Sequence, residues 1–197
     1  MGNYDRDTIH NSATADNGRS VVGENKMSPS YRRVVTGRNA KGRSVLIGDA
    51  RIEEGTLGNF NLWAARADGT DGPGAIPFFP EPDQTIFRVV RLPPPDPHMT
   101  GAELESLIAE FFSGVGSPAC KVDTSRHPLM HETPSTDYIM LLSGSVSLLL
   151  DEGDPIPLRP FDVVVQRAAN HAWIVTGREP AVFVCVMAGR AAKGDRA

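Results

Sequence analysis

The side chains best suited to chemistry lie between His131 and His171. They are His131, Thr133, Asp137, Gln166 and His171. Neutral imidazole and carboxylate are what a mid-series divalent ion such as Fe, Mn, Ni or Zn accepts, so His131, Asp137 and His171 form a coherent ligand set. Each sits at the end of a strand-like segment, and strand side chains alternate with period two, so His131, Thr133 and Asp137 can face one cavity. His171 shares parity with Trp173, which would give the site an apolar wall or an aromatic platform. Gln166 is a polar lining group able to orient a substrate carbonyl or hydroxyl. Thr133, Trp173 and Met140 complete the expected substrate pocket. Plainer readings stand beside these: His131 as a hydrogen-bonded loop histidine, Trp173 as core packing, and Asp137 as a general base in a metal-free lyase, its pKa raised by burial.

The same stretch resembles the two motifs of the cupin superfamily. The first cupin motif is His-x-His, three or four residues, Glu, six residues, Gly; His131, Thr133, Asp137 and Gly144 stand at those four positions. The second supplies a late His after a turn, matched by Leu158-Arg159-Pro160-Phe161-Asp162 and His171, and 16 residues separate Gly144 from Phe161. The departures are Thr133 for the second His, Asp137 for the Glu, Phe161 for the turn Gly, and Gln166 and Ala168 for the usual Pro and Gly. The resemblance covers about a third of the chain, 121–188. It implies an all-β, double-stranded β-helix (jelly-roll barrel) with extra N-terminal strands and one or two short helices, a site inside the barrel, and a homodimer. The reaction it implies is a metal-dependent lyase or isomerase step, decarboxylation or dehydration of a small organic acid or carbonyl compound. A dioxygenase using Fe(II) and a non-catalytic binding or sensing barrel are the alternatives.

Elements able to position these residues follow from local pattern. Arg32–Gly37 and Arg43–Asp49, joined through Asn39-Ala40-Lys41-Gly42, predict a hairpin. Phe60–Ala65 and Thr85–Leu92 predict two more strands, and the Gly/Pro-rich stretch 68–82 between them is a surface excursion or a lid over the barrel mouth. Pro93–Pro97 is a stiff connector; Thr100 and Glu103 have capping-box spacing, and Leu104, Leu107, Ile108, Phe111 and Phe112 recur at helical spacing. One amphipathic helix over 101–112 should therefore pack its apolar face on the sheet. The runs 172–175 and 181–187 are apolar on both faces, so both faces should be covered, the outer by N-terminal strands or another subunit. Asp162 should cap its turn, and Asp151–Asp154 is a hairpin turn.

Composition bounds the rest. The chain of 197 residues, 40% apolar and 22% charged, is long enough for one buried core. The domain reading is an arm of 1–30 without periodicity, a single domain over 31–190 (barrel about 85–189, extra strands 31–66) and a frayed tail 191–197. Met27 is a candidate start. A net charge of −4 offers no basic footprint for nucleic acid, and there is no apolar run of about 18 residues to span a membrane. Cys120 and Cys185 read as reduced thiols in a cytoplasmic setting. His127, His98 and His10 match no motif. Dinucleotide, P-loop, serine-elbow and Cys-x-x-Cys signatures are lacking.

Overall fold

The computed structural model describes residues 29–55, 58–114, 120 and 122–190. The expected tail, and all but the last two residues of the expected arm, lie outside them. The chain folds as β1 (Ser30–Arg38), β2 (Ser44–Glu53), β3 (Asn59–Arg66), β4 (Asp71–Gly72), β5 (Gln84–Leu92), α1 (Gly101–Gly114), β6 (Ser135–Ser143), β7 (Val146–Leu150), β8 (Ile156–Leu158), β9 (Val163–Arg167), β10 (His171–Val175) and β11 (Ala181–Gly189). A six-stranded sheet has the order β4-β3-β5-β11-β6-β9; a three-stranded sheet runs β10-β7-β8; β1 and β2 pair alone. Every strand pair is antiparallel. This is the expected all-β jelly roll.

The main core lies between the two larger sheets. Ile86, Ile139, Leu141, Phe183, Cys185 and Met187 face Val146, Val175 and the half-buried Trp173 and Leu158. On β6 the alternation is clean: Asp137, Ile139 and Leu141 point inward, while Tyr138 is exposed and Met140 half-buried on the other face. The β6–β7 turn needs Gly144, with φ of 86°, because a Cβ there would stand 2.7 Å from the Ala181 Cα.

The β1–β2 hairpin turns as its residues predict, the Asn39 side-chain oxygen accepting from the amides of Lys41 and Arg43. Tyr31 and Ile52 of that hairpin cover Phe60, Leu62, Val89 and Val182 on the outer side of the large sheet. Val184 and Val186 on β11, also expected to be covered there, stay half-buried. Helix α1 opens with the capping box: the Thr100 amide donates to Glu103 Oε2 at 2.8 Å and the Glu103 amide to Thr100 Oγ1 at 3.3 Å. Ile108 and Phe112 are its buried stripe; Leu107, expected on that stripe, is half exposed. No helix among the described residues is long and apolar enough to cross a membrane.

Residues 73–82 fold back over the barrel. Ile76 and Phe79 pack against the main core. Arg88 of β5 holds this loop, donating to the carbonyls of Phe78 (2.9 Å) and Pro77 (2.8 Å).

Candidate functional site

His131 and His171 meet through the backbone. His131, just before β6, forms an isolated antiparallel bridge with His171, the first residue of β10, each amide donating to the other's carbonyl at 2.9 Å. Their ring centroids are 4.4 Å apart. Both Nδ1 atoms contact carbonyl oxygens, His131 with Leu129 at 2.8 Å and His171 with Ala169 at 2.9 Å. A carbonyl can only accept, so each Nδ1 carries the proton, and a neutral ring then presents its Nε2 lone pair. Burial keeps both rings neutral: it pushes His131 down and, together with the charge His131 would carry, takes His171 to about 3. Asn170 anchors the approach to β10, its Nδ2 donating to the Asp123 carbonyl and to Asp151 Oδ1.

Aromatic rings wall the pair. Phe112 of α1 lies 5.6 Å from the His131 ring, and Trp173 lies 5.6 Å from His171 edge-on and 5.1 Å from Phe183. Trp173 thus takes the face shared with His171 that its parity predicts.

Asp137 is held by neighbouring hydroxyls. Only 3% exposed, it accepts from Thr133 Oγ1 at 3.0 Å and Ser135 Oγ at 2.5 Å. Burial raises its pKa, opposed by those two hydroxyls and by the Arg88 charge. Gln166 stands opposite Asp137 across β6 and β9, buried, with its Nε2 donating to the Ala169 carbonyl at 2.7 Å. That carbonyl is the one that receives His171 Nδ1. Gln166 therefore buttresses the histidine's support.

The expected ligand set is divided. His131 and His171 come together, but among the described residues no group of three His, Cys, Asp or Glu could hold a metal ion. Both oxygens of Asp137 are engaged by hydroxyls, and the charged group that acts on it is Arg88. The paired histidines offer two Nε2 ligands to a divalent ion, and Asp137 does not join them in a three-ligand group among the described residues. His127 supplies no replacement: its Nδ1 receives the Leu129 amide at 3.1 Å. Met140 must be removed from the pocket, because the two-residue period of β6 turns it away from the face of Asp137. Thr133 is fully buried as a partner of Asp137, which leaves it no free surface for substrate.

Arg88 is the residue that sequence reading missed. Only 2% exposed, it lies across from Cys185 in the β5–β11 register and acts electrostatically on Asp137. Its signal was parity: Ile86, Arg88 and Val90 alternate on one face of a strand, which puts the charge inside. Cys185 beside it is inert, burial pushing its thiol up to about 12.

No family model matches the chain. The cupin-domain-containing oxidoreductase virC of Hypocrea virens is 30% identical over 150 residues, covering 74% of this chain and 69% of that protein. The chain belongs to the cupin family. The phomopsin biosynthesis cluster protein C' of Diaporthe leptostromiformis is 29% identical over 156 residues, 76% of this cupin and 75% of that protein. Among solved structures, the Cnp3 cupin domain of Schizosaccharomyces pombe is 9% identical with a TM-score of 0.38, covering 81% of this chain and 83% of that one. The assignment rests on the sequence relatives. They support a cupin-type enzyme without indicating its reaction.

Proposed function

We propose that this cupin is a small-molecule enzyme that moves a proton on a small organic acid or carbonyl compound, in a lyase- or isomerase-like step such as decarboxylation or dehydration. The observation that carries the reading is the facing pair of imidazoles, His171 buried and His131 half-buried, each with Nδ1–H tied to a carbonyl and its Nε2 lone pair turned to other partners. One Nε2 would take a proton from the substrate while Trp173 and Phe112 keep water from it. Asp137, its pKa raised, is the second acid–base group of the interior, and Gln166 holds the carbonyl behind His171. A divalent ion, if bound through the two Nε2 atoms, would supply Lewis-acid polarisation of a carbonyl or carboxylate.

The test combines elemental analysis with turnover on a panel of small keto, hydroxy and dicarboxylic acids, for the wild type, His131→Ala and His171→Ala. Turnover that drops at least about 100-fold in both variants is expected, from the usual size of a general acid–base contribution. Ligand bound and recovered unchanged would instead identify a non-catalytic barrel. A second reading is oxidation, here with O₂ and Fe(II), in keeping with the virC relative being an oxidoreductase. Oxygen uptake coupled to product in an Fe(II)-loaded sample would select it.

The expected homodimer has a candidate surface. Val165, Tyr138, Val186 and Phe87 form one register row across four strands on the outer face of the large sheet, and Val165, Tyr138 and Phe87 are 51%, 53% and 39% exposed. The row ends at β9, which has no further strand beside it among the described residues and which an antiparallel copy of itself would extend about a two-fold axis. Light scattering should read a dimer that Val165→Lys converts to monomer; a wild-type monomer at tens of micromolar would remove the proposal. The two cysteines, read from the sequence as reduced thiols, suit a cytoplasmic setting.

A further inference from the structure

Loop 73–82 and helix α1 both lie outside the main strands, and they are held very differently. The loop is tied by several bonds. Arg88 donates to the carbonyls of Phe78 and Pro77, the Glu81 amide donates to Gln84 Oε1, and Arg66 pairs with Glu81 at 2.6 Å. Ile76 and Phe79 add packing against the main core. Helix α1 has far fewer ties. Its described side chains that are buried are Ile108 and Phe112, each 3% exposed. Among the described residues its side-chain hydrogen bonds are those of its own cap, between Glu103 and Thr100, and no ion pair joins it to a strand.

The connector that leads into α1 adds to this freedom. Pro93, Pro94, Pro95 and Pro97 have no amide to give to a neighbouring strand. The amides of His98 and Met99 both donate to Asp96, inside the connector itself. A segment with few buried apolar contacts and few bonds to the body opens locally, at less cost than unfolding the domain. What α1 covers is the candidate site. The Phe112 ring lies 5.6 Å from His131, His131 lies 4.4 Å from His171, and His171 is 2% exposed. At that exposure a ligand reaches His171 once a wall moves. Of the two aromatic walls, Trp173 is fixed in β10, paired with Leu148 of β7 and packed on Phe183, whereas Phe112 rides on the loosely tied helix.

We propose that α1 is a lid over the His131–His171 pair, swinging on the proline connector, with Phe112 as the plug that leaves the His131 ring to admit a small molecule and returns to shut it in. The inference rests on the reading above that this pair is where a small molecule acts, and adds how the pair is reached. Entry and closure then depend on one helix, while loop 73–82 stays in place.

The experiment uses the full chain and needs no substrate. Hydrogen exchange is followed in α1, β6 and β11 at low denaturant. Carbethoxylation of each histidine by diethyl pyrocarbonate is timed by peptide mass spectrometry, with the exposed His98 as internal reference. The amides of α1 should exchange at least about 10-fold faster than those of β6 and β11, with little response to denaturant, as local opening requires. His171 should react more slowly than His98. Thr100→Ala, which removes the helix cap, should speed α1 exchange and His171 modification together, by about 5-fold, the usual weight of a cap. Phe112→Ala should speed His171 modification further. Should Phe112→Ala fail to fold, Thr100→Ala decides alone, since Thr100 is exposed and its side chain bonds to Glu103. Exchange in α1 as slow as in β11, or a Thr100→Ala chain whose helix loosens while His171 modification is unchanged, overturns the lid. Turnover of an acid by a chain whose α1 is as protected as β11 overturns the inference while sparing the enzymatic reading. A helix that opens and exposes His171 in a chain that turns over no substrate does the reverse.

Discussion

Two polar clusters share the interior of this barrel and meet burial in opposite ways. At the His131–His171 pair the groups give up their charge: neither ring is protonated near neutrality, and each keeps one N–H on a carbonyl. At Asp137 and Arg88 opposite charges offset each other without direct contact, each further held by neutral partners. The first arrangement leaves basic lone pairs for a substrate or an ion. The second stores charge whose stability depends on both partners.

The largest expected effect breaks the second cluster. Arg88→Met should lower stability by about 3 kcal/mol, since it leaves a buried carboxylate uncompensated and releases the loop. Denaturant titration measures it, and Asp137→Asn in the same chain should recover part of the loss. If the two losses simply add, the coupling described here is absent.

The next effect sharpens the contrast through pH, in metal-free protein. An unfolded histidine takes its proton near 6.5, whereas folded His171 resists it down to about 3, so the unfolded chain binds more protons across that window. Stability from this group is complete above 6.5 and falls as pH drops toward 3, by about 1.4 kcal/mol per unit, or about 2 kcal/mol by pH 5. His131, shifted the same way, adds to the slope. Asp137 has the opposite sign, its raised pKa favouring the folded state in acid. Replacing His171 with Phe should flatten the profile between pH 6.5 and 5; an unchanged slope would mean the ring is protonated in the folded protein.

The smallest effect lies outside both clusters. Phe161 has φ of 75° and is 73% exposed, a left-handed conformation that costs a side-chain residue about 1 kcal/mol. Phe161→Gly should raise the melting temperature of a monomer by a few degrees. A loss of stability would instead tie the ring to a contact between copies.

Much of this was legible in the sequence. The β1–β2 turn, the capping box at Thr100 and Glu103, the period of β6 and the shared face of His171 and Trp173 are all local, and local sterics and alternation decide them. The Asp162 side chain accepts from the Arg159 amide at 2.8 Å, the turn cap its type predicts. The spacing of His131, Asp137, Gly144 and His171 placed the fold correctly, because turns and strand lengths set that spacing. What the histidines and the aspartate would do together was not written there. Side-chain partners depend on which strands become neighbours, and the pairing of β6 with β9 and β11, the hydroxyls beside Asp137 and the loop's return to Arg88 all join residues distant in sequence. The sequence by itself determined a cupin barrel with two inward histidines, through local period and turn chemistry. The tertiary structure alone decided that Asp137 is held by Thr133 and Ser135 and faces the charge of Arg88, since burial and hydrogen-bond partners exist only once the sheets have closed.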